Sequence, residues 1–307
     1  MHDVIIIGAG PAGLTAALYA GRFRLSTMVF ERLSAGGQII LSPTIENYPG
    51  FPQGIATFDL IEKFKTQVEE VGVTMSSGEV MRFEPIVIGK QPCFTVVTED
   101  ASFESKSVII AAGANPRRLG VKGEDALIGR GVSYCATCDA PLFKNKEVVI
   151  VGGGDRAIEE AIFLSGYCKK VMVVHRRAAL RASKILEEKA RAIATIEFVL
   201  EYVVEEVIGN QKVEAVALRK VSTGSVMRRD CDGVFICVGI EPNTGFIKNL
   251  LHLDAHGFII TDQTMQTSLS GVFACGDCRQ KSLYQVVSAC SDGAIAADSA
   301  HKYLLNL

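Results

Sequence analysis

The chain has 307 residues, 48% of them hydrophobic and 21% charged, with a formal net charge of −2. That is enough chain for two ordinary cores, and it lacks the basic excess that draws nucleic acid or anionic lipid without sequence preference. The first apolar run, Val4 to Ile7, follows no basic segment and breaks at Gly8, and no later run approaches a membrane span, so neither a signal peptide nor a membrane partner is expected and the protein should stay in the cytoplasm.

Nine cysteines are an odd number without the spacing of a disulfide framework, which fits a reducing compartment. Cys93, Cys168, Cys231, Cys237 and Cys290 are read as small buried hydrophobes.

In chain order, DVIIIGAGPAGLTAALYAGR predicts a strand, a tight turn through Gly8-Ala9-Gly10-Pro11-Ala12-Gly13 and an alanine-rich helix. This is the dinucleotide fingerprint in its required setting: Gly8 makes the turn, Gly10 lets a pyrophosphate approach the backbone, and Gly13 lets helix and strand close up. Glu31 ends the next strand, Met28 to Phe30, where a carboxylate accepts from a ribose hydroxyl and repels a 2′-phosphate.

YCATCDAP follows, with Cys135 and Cys138 two residues apart and Asp139 directly after them. Four uses compete: a zinc site shared with the second C-x-x-C at Cys275 and Cys278, a static disulfide, plain buried thiols, and redox exchange. Redox exchange fits the two-electron balance of a nicotinamide, a flavin and a dithiol, with Asp139 the nearest general acid and base; Asp139 equally suits a helix N-terminus.

The fingerprint grammar then returns in EVVIVGGGDRAIEEAIFLSGYCKKVMVVHRR. Gly152, Gly154 and Ala157 take its three positions, with Asp155 and Arg156 in the turn, and Val171 to Val174 form the following strand. That strand ends in His175, Arg176 and Arg177, with Arg181 close behind, instead of an acid. Guanidinium forks suit a 2′-phosphate, so the second site reads as one for NADP(H).

Two further echoes, VIIAAGANPR and VFICVGIEPN, run from strand through Gly113 or Gly239 to a proline turn and mark two crossings between domains, which would let one domain turn on the other. Near the end, a short strand leads to Asp277, placed for a cofactor polyol or for a simple turn, and a small-residue helix is expected to start near Gln285 with its positive end toward a reduced ring.

GAGPAG, CATCD, GGGDRA, HRRAALR and GD, in this order and over essentially the whole chain, make the sequence similar to the low-molecular-weight, bacterial-type thioredoxin reductases. The resemblance implies an α/β fold of two Rossmann-like, doubly wound, three-layer nucleotide-binding domains, the second inserted into the first. The FAD-binding domain would be residues 1-113 and 242-307, and the NADPH-binding domain carrying the redox C-x-x-C residues 114-241. Implied FAD contacts, beside the first loop, are Gly37, Gln38, Asn47, Val80, Gly113, Asp277, Gln285 and Val286.

By the same resemblance Cys138 is the sulfur nearest the flavin, Cys135 the one that attacks the partner's disulfide, and Arg130 a docking side chain. The enzyme so implied is a homodimer that passes electrons from NADPH through FAD to the disulfide of thioredoxin or a thioredoxin-like protein, with the inserted domain rotating between two arrangements. The alternative is a flavin-dependent reductase serving a glutaredoxin-like protein, ferredoxin or a peroxidase system; ferredoxin reductases of similar architecture lack the CATCD pair, and the peroxidase case expects an N-terminal extension. Arg156, Tyr284 and Ala140-Pro141-Leu142 depart from the family pattern, the last on the expected docking loop.

Overall fold

A computed structural model describes residues 1–41, 44–45, 47–134, 136–247 and 249–307, with the backbone alone at 41, 137 and 138. The chain divides into two compact units, Met1–Asn115 with Glu241–Leu307, and Pro116–Ile240.

The first unit is built on strand His2–Ile7, whose Val4, Ile5 and Ile6 are fully buried. Apolar residues at consecutive positions bury both faces, as a central parallel strand requires, and each large aliphatic side chain so removed from water contributes ~1.5–3 kcal/mol. The strand lies between Thr27–Glu31 and Ser102–Ile110, parallel to both; Thr74–Ser77 and Val272–Ala274 extend the parallel set on either side. An antiparallel ribbon, Val80–Ile88 with Gln91–Thr98, continues the sheet from Ser102–Ile110. The sequence reading did not assign it.

Helix Pro11–Arg22 begins with proline, whose missing N–H costs nothing there, and buries Ala12, Gly13, Ala16, Ala17 and Ala20. Helix Val286–Leu305 meets it with Ala289, Gly293, Ala296, Ala297 and Ala300. A Cβ on Gly293 would stand 2.2 Å from the Ala12 carbonyl oxygen, so only small residues permit this approach. It brings the first glycine loop and the start of the last helix to one end of the sheet, beside the carboxyl ends of the parallel strands, where α/β sheets bind ligands.

The second unit repeats the plan with a parallel sheet of Val132–Ser133, Gly233–Ile236, Glu147–Val151, Lys170–His175 and Ile196–Leu200. Helices Asp155–Ser165 and Lys184–Arg191 cover it through Ile158, Ala161, Leu164 and Ala190. An antiparallel sheet of Tyr202–Gly209, Val213–Lys220 and Val226–Asp230 closes its other face. The expected α/β class with two parallel-sheet nucleotide folds therefore holds. No helix among the described residues is long and apolar enough to cross a membrane.

Candidate nucleotide and redox sites

In the first loop Gly8 has φ +106°, a left-handed conformation suited to glycine, and a Cβ there would lie 2.3 Å from the Ala111 oxygen. Gly13 is closed against the Gly8 carbonyl, whose oxygen a Cβ would meet at 1.9 Å. Gly10 differs: the nearest heavy atom to its imagined Cβ is Gly37 Cα, 3.9 Å away, so this face of the loop is open. Glu31 is fixed beside it, Oε2 accepting from the Ala9 N–H at 2.8 Å and Oε1 from the Leu33 N–H at 3.1 Å.

These residues border a cavity of about 680 Å³ within the first unit. Gly8, Gly10, Pro11, Ala12, Glu31, Gly37, Gln38, Val80, Gly113, Asp277, Gln285 and Val286 all line it. Gly13 serves packing, and Asn47 stands behind the wall, its Nδ2 donating to Gln285 Oε1 at 2.9 Å. Gln285 is the residue before helix Val286–Leu305, so the helix start faces the cavity.

Asp277 sits in the single turn Gly276–Cys278 after strand Val272–Ala274. Its Oδ1 is buried and pairs with Lys281 Nζ at 3.3 Å, while the side chain as a whole is 34% exposed. Burial pushes the Asp277 carboxyl up, against the pull of Lys281. An open glycine, the clamped Glu31 carboxylate, Asp277 and a helix N-terminus lining one cavity fit a dinucleotide of the FAD type.

In the second unit a Cβ on Gly154 would meet nothing within 4 Å, while Ala157 is buried against the loop. The segment after the second strand is stitched to this loop: Gly153 O accepts from the Arg181 N–H at 2.6 Å and the Ala182 N–H at 3.0 Å, and Asp155 Oδ1 accepts from the Ser183 N–H at 2.6 Å. Arg176, Arg177 and Arg181 are exposed, with no carboxylate within ion-pair distance among the described residues. Three unpaired guanidinium groups around an open helix start fit a phosphorylated dinucleotide.

His175 is placed differently from its arginine neighbours. It is buried beneath the loop, where a Cβ on Gly153 would strike its ring at 2.4 Å. Burial, and then the charge of Arg181, lower its pKa, so the basic charge at this edge comes from the arginines.

Arg156 turns away from the open face: Nε donates to Glu160 Oε1 at 2.9 Å and Nη2 to the Tyr134 carbonyl at 3.1 Å. Glu160, which the motif reading passed over, also accepts from Cys237 Sγ at 2.9 Å. Cys237 is thus a hydrogen-bonded thiol, raised by its burial and by Glu160, in a residue only partly covered, a correction to its reading as a plain buried hydrophobe; Cys290 too is partly covered, whereas Cys93, Cys168 and Cys231 are buried as expected.

Cys135 lies outside the described residues, and Cys138 is described by its backbone in the short helix Ala136–Asp139, which Asp139 ends. Tyr134, just before Cys135, is held by its hydroxyl, donating to Glu124 Oε1 at 2.6 Å. Glu124 is buried and also accepts from the N–H groups of Leu119, Gly120 and Val121. Burial and this carboxylate push the Tyr134 phenol well above its ordinary range. Arg130 is exposed and spans back to the Ala126 carbonyl.

At the second C-x-x-C both thiols are free and fully buried, and Cys278 Sγ donates to the carbonyls of Ile110 and Cys275. Burial raises both, Cys278 to about 11. Ala140 is buried at the start of the turn Ala140–Phe143, whose Leu142 is exposed, and Tyr284 packs at a tilt against Phe258, ring centroids 5.6 Å apart.

Comparison with known proteins agrees with this arrangement. A family profile described as pyridine nucleotide-disulphide oxidoreductase matches residues 2–293. The thioredoxin reductase of Listeria innocua serovar 6a is 44% identical over 308 residues, covering 100% of this chain and 95% of that protein. The crystal structure of Lactococcus lactis thioredoxin reductase in its FR conformation superposes with a TM-score of 0.96 at 41% identity, covering 100% of both chains. That of T. acidophilum thioredoxin reductase gives 0.91 at 34%, covering 98% of each.

Proposed function

The chain belongs to the pyridine nucleotide-disulphide oxidoreductase family, and from that membership we propose how its residues divide the work of a thioredoxin reductase. It is an NADPH-dependent FAD oxidoreductase that reduces a protein disulfide, a reading that holds over a flavin reductase serving another acceptor. FAD, when bound, supplies a carrier able to take two electrons from a nicotinamide and pass two to a dithiol.

The first unit holds FAD. Gly10 leaves its backbone open to the pyrophosphate, Glu31 and Asp277 accept from hydroxyl groups, and the start of helix Val286–Leu305 favours negative charge on the ring. The second unit holds NADPH. Gly154 and the helix after it face the pyrophosphate, Arg176, Arg177 and Arg181 take the 2′-phosphate, and His175 supports the loop from below. Glu124 and Arg156 hold Tyr134 by its hydroxyl and its carbonyl, which fixes the backbone entering the redox turn.

Cys138 exchanges with the flavin side and Cys135 attacks the partner's disulfide, while Asp139 gives and takes the proton that a sulfur needs when the pair opens and closes. Arg130 contributes to docking thioredoxin or a thioredoxin-like protein. The paired crossings after Asn115 and after Ile240 serve as the hinge, and the working form is a cytoplasmic homodimer, as the resemblance implies.

The observation that carries this reading is the cavity of about 680 Å³ lined by the open glycine, Glu31 and Asp277 in a chain with full-length thioredoxin reductase relatives. The test is reduction of thioredoxin by the purified yellow protein, with NADH as the control donor. NADPH-dependent turnover is expected; equal turnover with NADH would defeat the assignment of the three arginines, and none with either donor would defeat the partner.

A further inference from the structure

Behind the wall of the flavin cavity lies a charged cluster that no motif announces. Lys281, with a side chain only 6% exposed, puts Nζ 3.3 Å from Asp277 Oδ1, 3.2 Å from Asp292 Oδ2 and 3.3 Å from Ser288 Oγ. Asp292 also takes Arg279 Nη1 at 3.3 Å and the Gly276 N–H at 3.2 Å. Arg279 is tied further to Thr261 Oγ1 at 2.8 Å.

Lys281, Arg279 and Asp292 therefore share a nearly dry volume, which Asp277 joins to the cavity. Such clusters are weak sources of stability, because desolvation offsets most of the attraction. Lys281 is the member that ties Asp277, which lines the cavity, to Ser288 and Asp292 in the first turns of helix Val286–Leu305. Its ammonium pairs with the buried Oδ1 of Asp277, and the exposed part of that side chain is left to the cavity.

We propose that Lys281 is a positioning residue for the flavin, pairing with the buried Oδ1 of Asp277 so that the rest of the carboxylate is held toward the cavity and accepts from a hydroxyl of the bound cofactor. This rests on the reading of the cavity as the FAD site. The groups that face Asp277 are Lys281, Asp292, the Cys278 thiol and the Tyr284 phenol, and the last two are neutral at neutral pH. Without Lys281, burial and Asp292 both push Asp277 toward its protonated form. A neutral carboxyl is a weaker acceptor than a carboxylate, so flavin would then bind more loosely as pH falls.

The test measures flavin released at equilibrium from the holoenzyme, by FAD fluorescence, from about pH 5.5 to about pH 8.5, a range that brackets a raised carboxyl. Lys281→Met is expected to weaken retention by roughly tenfold, the scale of one charge-assisted interaction, with the loss growing toward acid. Wild type is expected to depend on pH less than Lys281→Met, because Lys281 opposes the rise of the Asp277 carboxyl, and Lys281→Arg to behave close to wild type. Asp277→Asn is expected to abolish the pH dependence in the Lys281→Met background. Thermal melting checks folding, and if Lys281→Met does not fold, Lys281→Gln takes its place.

Retention equal to wild type, or a loss by one factor at every pH that arginine does not rescue, would overturn the proposal. Wild-type protein that takes up no FAD would overturn the reading of the cavity itself, and the proposal with it.

Discussion

Cys138, the three arginines and the buried second cysteine pair can each be tested separately. In Cys138→Ser, NADPH should still bleach the flavin while thioredoxin reduction stops; surviving disulfide reduction would rule out the cysteine route. Replacing Arg176, Arg177 or Arg181 by alanine should raise the KM for NADPH roughly tenfold, since a hydrogen bond to a charged group contributes about 1.5–3 kcal/mol, and leave the KM for NADH nearly unchanged. Cys275 and Cys278, with Cys278 raised to about 11, are protonated at neutral pH and enclosed, so alkylation of the native protein after NADPH reduction should gain the redox pair and not these two. The sequence alone offered them as half of a possible zinc site and could not show their burial, which depends on contacts with residues as distant as Ile110.

The glycine loops were legible because each is local: strand, turn and helix lie within a few residues, and the φ of Gly8 and the close packing of Gly13 follow from that spacing. Gly13→Ala forces a methyl against the Gly8 carbonyl, a strain of ~1–3 kcal/mol or more, and should yield protein that loses flavin on purification yet still binds NADPH. Features made by distant partners were not legible, among them the Arg156 and Glu160 pair with Cys237, the Glu124 anchor of Tyr134 and the Lys281 cluster. The two antiparallel sheets were missed for another reason: strand Val80–Ile88 mixes exposed and buried positions irregularly and contains Pro85, so it lacks the unbroken apolar run that marked the parallel strands.

His175 shows what the loop imposes on the residue below it. Its native pKa is lowered, chiefly by burial, so between that value and the ordinary 6.5 the unfolded chain binds more protons than the folded one. Stability is therefore full at higher pH and falls as pH drops below about 6.5. His175→Gln should flatten this acid-side decline in Tm; an unchanged pH profile would show that the ring titrates freely.

At the scale of the molecule, two parallel-sheet units each carry one glycine loop, with Glu31 beside one and three exposed arginines beside the other; under the proposed function this opposite charge separates FAD from NADPH. The account stands or falls on pairwise electron flow from NADPH to flavin to the Cys135–Cys138 pair. Its most direct test is an anaerobic titration of the oxidised protein with NADPH, following flavin absorbance and free thiols together. Wild type should take up two hydride equivalents per chain, one for the flavin and one that yields two new thiols, and Cys138→Ser only the first. Full flavin reduction in wild type with no new thiols would contradict it.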